Sequence, residues 1–143
     1  MNPTPLKMRD SFLRVYSSIP EILLDKDLAR LGDAYINFLY SLAESYERGK
    51  GSNSRVPDKV LAESLKRSGL REMLPKRTPV HDQADAVEAL AVYAWLTDTL
   101  SLEEGISLLS GSRKDDVELF TELVEKIVRR LRMRLEPSEV PGD

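Results

Sequence analysis

The chain has 143 residues, no cysteine and a net charge of −3. Disulfides, a thiolate metal site and a cysteine nucleophile are therefore excluded, and the overall charge does not advertise a nucleic-acid binder. With 41% hydrophobic and 31% charged residues, it reads as one globular domain over 1–143 with a polar tail at 136–143. No apolar run approaches the ~20 residues that span a bilayer. The N-terminus lacks the basic and apolar regions of a secretory signal, so a cytoplasmic protein without a membrane partner is expected. One Gln and three Asn beside many charges fit a thermophilic source.

The predicted elements are all helical. Pro3 and Pro5 precede a short amphipathic segment, Leu6 to Ser17. Pro20 breaks it and starts a second turn through Leu23 and Leu24. A long helix runs from about Asp27 to Glu47. It stops at Gly49-Lys50-Gly51-Ser52-Asn53-Ser54, read as a flexible, turn-rich loop. Pro57 opens a helix from Asp58 to about Ser68, ended by Gly69. Residues 75–82 form a basic, irregular connection, and a core helix follows over 83–98. Ser101 and Glu104 have the spacing of a capping box for a short helix ending near Gly111. The last helix spans about Lys114 to Leu135. No segment alternates with period 2, so no sheet is expected.

Two of these helices carry polar groups that stability alone does not favour. On the long helix, Asp33, Asn37 and Ser41 fall at i, i+4 and i+8, one face of an otherwise apolar or aromatic stretch. On the core helix, Asp85 and Glu88 are the only charges between Ala84 and Leu96. Carboxylates are rarely buried unless paired, and an unpaired one costs several kcal/mol. The economical reading is that these acids meet in a cleft and share a cation. The competing reading is a structural network in which Arg30 and Lys59 pair with them.

Leu31-Gly32-Asp33-Ala34, with Asn37 a turn later, resembles the signature helix of the ribonuclease III endonuclease domain. Asp85-Ala86-Val87-Glu88-Ala89-Leu90, followed by Val92-Tyr93-Ala94-Trp95-Leu96, resembles that family's second acidic helix. Between them, Leu61-Ala62 and Gly69-Leu70 resemble its middle helix and short turn. The resemblance covers roughly residues 25 to 110. It implies an all-α, homodimeric helical bundle that cuts double-stranded RNA with Mg²⁺ or Mn²⁺. Asp33, Asp85 and Glu88 take the places of family metal ligands, with Asp33 and Glu88 as the catalytic pair and Asn37 as support. The pattern is incomplete, because the family's two earlier glutamates fall on Lys26 and Ala29. The short Mini-III branch, which lacks a double-stranded-RNA-binding domain, has a similarly depleted first motif, so the chain looks more like that branch, or an archaeal relative of it, than like the full enzyme. The equivalent helix packs against its mate in such dimers, which makes Leu28, Leu31 and Tyr35 the expected interface, burying upward of ~2,000 Å².

Hard carboxylate oxygens suit Mg²⁺, which needs only one or two protein carboxylates. With Ala29 in place of Glu, one metal site per active centre is expected, and a weaker second. RNA phosphates are expected to meet Lys50, Arg55 and Lys59 on the loop side and Arg130, Arg132 and Arg134 on the last helix. The last helix is acid-first and base-last, which also suits its dipole, with pairs Glu122–Lys126 and Glu125–Arg129. Lys50-Gly51-Ser52 ends like a phosphate-binding loop, but Glu44 stands where its first Gly belongs and no strand precedes it. His81, the sole histidine, reads as a residue at a helix start or on the surface, and Tyr93 and Trp95 as packing. The function read from these features is metal-dependent cleavage of double-stranded or structured RNA. The alternative is a weakened RNA-binding or ribosome-associated protein that kept the fold.

Overall fold

The computed structural model describes residues 12–14, 16–111 and 114–135. Among them there are six α-helices and no strand. The expected amphipathic segment 6–17 falls mostly outside these residues, and its described part is not helical. The polar tail 136–143 lies outside them altogether.

Local signals in the sequence account for most helix ends. Pro20 lies in the first turn of α1, Ile19–Leu23, where its missing N–H costs nothing. Asp25 caps α2, Lys26–Arg48, by accepting from the Leu28 N–H at 3.0 Å. Gly49 ends α2 with φ 71°, a left-handed residue that a side chain would disfavour. Pro57 precedes α3, Asp58–Arg67, and a 3₁₀ turn follows at Leu70–Met73. Pro79 precedes α4, Val80–Leu96. That start is three residues earlier than expected, because the proline sets the first turn instead of ending an irregular stretch. His81 and Asp82 therefore belong to the helix. The capping box of Ser101 and Glu104 opens α5, Leu102–Leu109. The last helix, α6, spans Asp116–Leu135.

The core gathers around α4. Nearly every residue from Ala84 to Ala94 is buried, Glu88 included. Its neighbours are α2, α3, α1 and α6. Burial on all sides explains why this stretch has no polar face. The amphipathic helices supply the surrounding layer, with Ile36 and Leu39 from α2, Leu61 and Leu65 from α3, and Phe120 and Leu123 from α6 all fully buried. Tyr35 stacks on Trp95 with ring centroids 5.6 Å apart, and Tyr16 meets Tyr93 edge-on.

Leu28 and Tyr35, expected at an interface, are instead 5% and 9% exposed inside the protomer. The open face of α2 carries Leu31, Ala34 and Phe38, at i, i+3 and i+7. The open face is rotated about the helix axis from the expected one, because α4 covers the Tyr35 side, where Tyr35 stacks on Trp95.

At Gly32, α2 and α4 come closest. A Cβ on Gly32 would stand 2.0 Å from the Glu88 carbonyl oxygen and 2.4 Å from its carbon. Both are backbone atoms that cannot swing away. Gly32→Ala should therefore push the two helices apart and destabilise the fold by about 3 kcal/mol or more, the upper end for overpacked cores. Thermal unfolding followed by circular dichroism checks this, and an unchanged melting temperature would contradict the close approach.

Candidate active site

The polar stripe of α2 divides into two parts with different tasks. Residues 52–56 run extended along the helix. The Val56 N–H donates to Asn37 Oδ1 at 2.8 Å, the Ser54 N–H to Ser41 Oγ at 2.9 Å, and the Ser52 N–H to Ser45 Oγ at 2.8 Å. Ser41 Oγ returns a bond to the Ser54 carbonyl at 3.1 Å. Ser52 and Ser54 hydroxyls also donate to Glu44. Every second residue of the extended chain thus meets every fourth residue of the helix. Two extended residues advance about 6.6 Å and four helical residues about 6 Å, so the two periods nearly match. The segment expected to be flexible is therefore fastened. Asn37 and Ser41 serve its backbone, so they need no ligand to explain them.

Asp33 is the next rung, and among the described residues no backbone N–H meets it, because the chain turns into α3 at Asp58. Asn37 Nδ2 donates to the Asp33 carbonyl at 2.7 Å and to its Oδ1 at 3.2 Å, which orients the carboxylate. Across the Gly32 contact, the Glu88 carboxyl stands beside the Asp33 carboxylate. Burial, followed by the adjacent Asp33 carboxylate and the charges of Asp85 and Asp58, pushes the Glu88 carboxyl up to about 8. Near neutrality it therefore keeps its proton.

Asp33, Asp85 and Glu88 line one cleft of about 720 Å³ with Lys26, Ala29, Arg30, Arg55, Asp58, His81 and Asp82. The paired cations are Lys26 and Arg55, rather than Arg30 and Lys59. Lys26 Nζ lies 3.0 Å from Asp82 Oδ1 and 3.2 Å from Asp85 Oδ2. Arg55 Nη2 lies 3.1 Å from Asp33 Oδ1. Among the described residues, the His, Asp and Glu side chains whose ligand atoms all fall within 4.8 Å of one another are His81, Asp82 and Asp85. His81 Nδ1 is 3.0 Å from Asp58 Oδ2, and its Nε2 is 3.7 Å from Asp85 Oδ1. The Asp58 bond and the nearby Asp85 charge raise its pKa. Sequence reasoning undervalued Lys26, His81 and Asp82. Lys26, Ala29 and Asp33 share a helical face at i, i+3 and i+7, and Pro79 marks the helix start that brings His81 and Asp82 alongside Asp85.

Arg130 and Arg134 of α6 are engaged at home. Arg130 makes a bidentate pair with Glu104, at 2.9 and 2.7 Å, and donates to the Thr99 carbonyl at 2.9 Å. Those Arg130 bonds, with the Ser101 N–H, hold the Glu104 carboxyl down at about 2. Arg134 donates to the Thr97 carbonyl and to Thr99 Oγ1. The expected Glu122–Lys126 pair is replaced. Glu122 pairs with Lys114, and Lys126 lies 3.9 Å from Glu104. Arg132, Lys50 and Lys59 are exposed.

Among the described residues the chain is all helical, with a carboxylate cleft where its two central helices meet. The family model described as Ribonuclease III matches residues 26–137, and the chain belongs to the ribonuclease III family. No curated protein matches the sequence.

The raised Glu88 carboxyl has a stability signature. Its folded pKa of about 8 exceeds the ordinary 4.5, so the folded state holds this proton more tightly. The stability this adds is complete below pH 4.5 and is lost as the pH rises through 8. Glu88→Gln keeps the shape and removes the titration. In chelator, denaturation midpoints should fall for the wild type across that window, and the variant should lack this component of the decline. Parallel curves for the two proteins would contradict a perturbed Glu88.

Proposed function

We propose that this chain is a divalent-metal-dependent endoribonuclease that cuts double-stranded or structured RNA as a homodimer. One observation carries the reading: the Asp33 and Glu88 carboxyls stand beside each other in a cleft that Asp85 also lines. Two carboxyls held together with one forced to keep its proton are poised to trade that proton for a cation. The donors are hard oxygens, which fits Mg²⁺ or Mn²⁺. Asp33, Asp85 and Glu88 would hold the ion, and Asn37 keeps Asp33 aimed at it. A bound ion would lower the pKa of a coordinated water and offset charge on the scissile phosphate. Arg55 sits at the mouth of the cleft, 72% exposed, and can exchange Asp33 for an RNA phosphate. Lys50, Lys59 and Arg132 extend the positive surface that a phosphate backbone would meet. Arg130 and Arg134, with their donors turned to Glu104, Thr97 and Thr99, act mainly by holding α6 to the end of α4.

The alternative, an RNA-binding protein that kept the fold and lost turnover, is favoured by Ala29. That residue is 4% exposed and places a methyl group where the family pattern has a carboxylate.

Cleavage of long double-stranded RNA should require Mg²⁺ or Mn²⁺ and stop in chelator. Asp33→Asn, Asp85→Asn and Glu88→Gln should each lower it about a hundredfold or more, since even indirect loss of ligand support costs 10–100-fold. Ala29→Glu should tighten metal binding and raise the rate. RNA binding with a steep salt dependence but no metal-dependent cleavage would decide for the alternative.

The dimer is supported by the open face of α2, where Leu31 is 40% and Phe38 56% exposed. Contiguous apolar side chains on a helix face mark an interface. Leu31→Asp combined with Phe38→Asp should convert a sedimenting dimer to a folded monomer at micromolar concentration. A monomeric wild type would remove the dimer from the proposal.

A further inference from the structure

The corner of the cleft opposite Asp33 has the parts of a second cation site, and the chain itself places a cation on it. Asp82 and Asp85 present one carboxylate oxygen each to Lys26 Nζ, at 3.0 and 3.2 Å. His81 stands on the same helix, with Nε2 3.7 Å from the other Asp85 oxygen. Its opposite nitrogen, Nδ1, is fixed by Asp58 at 3.0 Å. A carboxylate on one ring nitrogen, with the other turned toward acids, is how ion-binding imidazoles are commonly oriented. Three potential ligand atoms thus lie within 4.8 Å of one another, yet an ammonium bridges two of their owners.

A lone exposed ion pair would mean little, since such pairs add little to stability. This one differs in two respects. Asp85 is only 17% exposed, so its charge is poorly served by water and needs a partner. The ammonium is also shared by two carboxylates, as a bound ion would be. A lysine head is a compact point charge on a flexible stem, closer to a small hydrated cation than a planar guanidinium is. Ala29, one turn on from Lys26 along the same face, contributes no competing carboxylate.

We propose that the Lys26 ammonium is a tethered cation that fills the His81–Asp82–Asp85 corner in place of a second divalent ion, leaving one free ion per protomer for the Asp33–Glu88 side, which Asp85 also lines. The second half of this statement rests on the metal-dependent reading above, and the first half does not.

The test counts ions without using activity. The full-length chain is titrated with Mn²⁺ alone at neutral pH, and free Mn²⁺ is followed by electron paramagnetic resonance. Wild type is compared with Lys26→Gln and with Lys26→Gln combined with His81→Ala. Lys26 is half exposed at the start of α2, and circular dichroism verifies that each variant is folded. Lys26→Met serves the same comparison should the glutamine variant unfold. Wild type should hold one Mn²⁺ per protomer, Lys26→Gln two, and the double variant one. If Lys26→Gln binds no more than wild type, the inference is overturned while the metal-dependent reading stands. Two ions in the wild type would show that Lys26 yields its place, which also overturns the inference. Two ions in the double variant would place the second ion elsewhere and count equally against it. No ion in the wild type but one in Lys26→Gln, lost again with His81→Ala, would support the tethered cation and remove the metal from the proposed function. No ion in any variant would overturn both.

Discussion

Two helix backbones meet at Gly32 with no side chain between them, and the candidate site depends on that contact. An alanine methyl there would overlap the Glu88 carbonyl. Because α2 can approach so closely, Asp33, the next residue, and Glu88, on the facing helix, end up beside each other in one cleft. Neither residue is placed by a loop. Both are held by central helices whose other residues pack the core, which is the rigid support that a precisely spaced site needs. The same crossing buries Glu88 and makes its charge costly. Packing and electrostatics are therefore one constraint at this point, and relaxing the first would undo the second.

Within the cleft, burial and pairing give neighbouring acids opposite characters. For Glu88, burial and the adjacent Asp33 win, and the group keeps its proton to about pH 8. Asp33 and Asp85 face Arg55 and Lys26. On Lys26, partial burial would favour the neutral amine, but the bonds to Asp82 and Asp85 outweigh it and the pKa rises. An ion entering this cleft would displace a proton or a side-chain cation, so its binding would be an exchange that depends on pH as well as on the acids themselves.

Much of the layout was legible in the sequence because its signals are local. Pro20, Pro57, Gly49, Gly69 and the Ser101–Glu104 box mark element ends within a residue or two. The apolar run from Ala84 to Ala94 announced a helix buried on all sides, and Asp85 and Glu88 stood out within it. The partners of the acids were less legible, since Lys26 and Asp82 are 56 residues apart and no periodicity reports that distance. The same limit applies to Arg130, whose carboxylate lies on another helix. Leu28 and Tyr35 were misplaced for a subtler reason. A helix apolar on several sides does not reveal which side its own chain will cover. The serines were the least legible, since Ser52 and Ser54 in a Gly/Ser stretch look like loop composition and give no hint of a register.

That register carries a consequence for how the chain can vary. A surface segment between two helices ordinarily tolerates insertions and deletions, because closing a slightly longer loop costs little. Residues 52–56 are held instead by alternate N–H groups matched to Asn37, Ser41 and Ser45. One added or removed residue within that run would turn the matched amides away from the helix and point the intervening ones toward it. The same slip would move Arg55 off Asp33. Length here is fixed by phase, so the segment can change its side chains more readily than its number of residues.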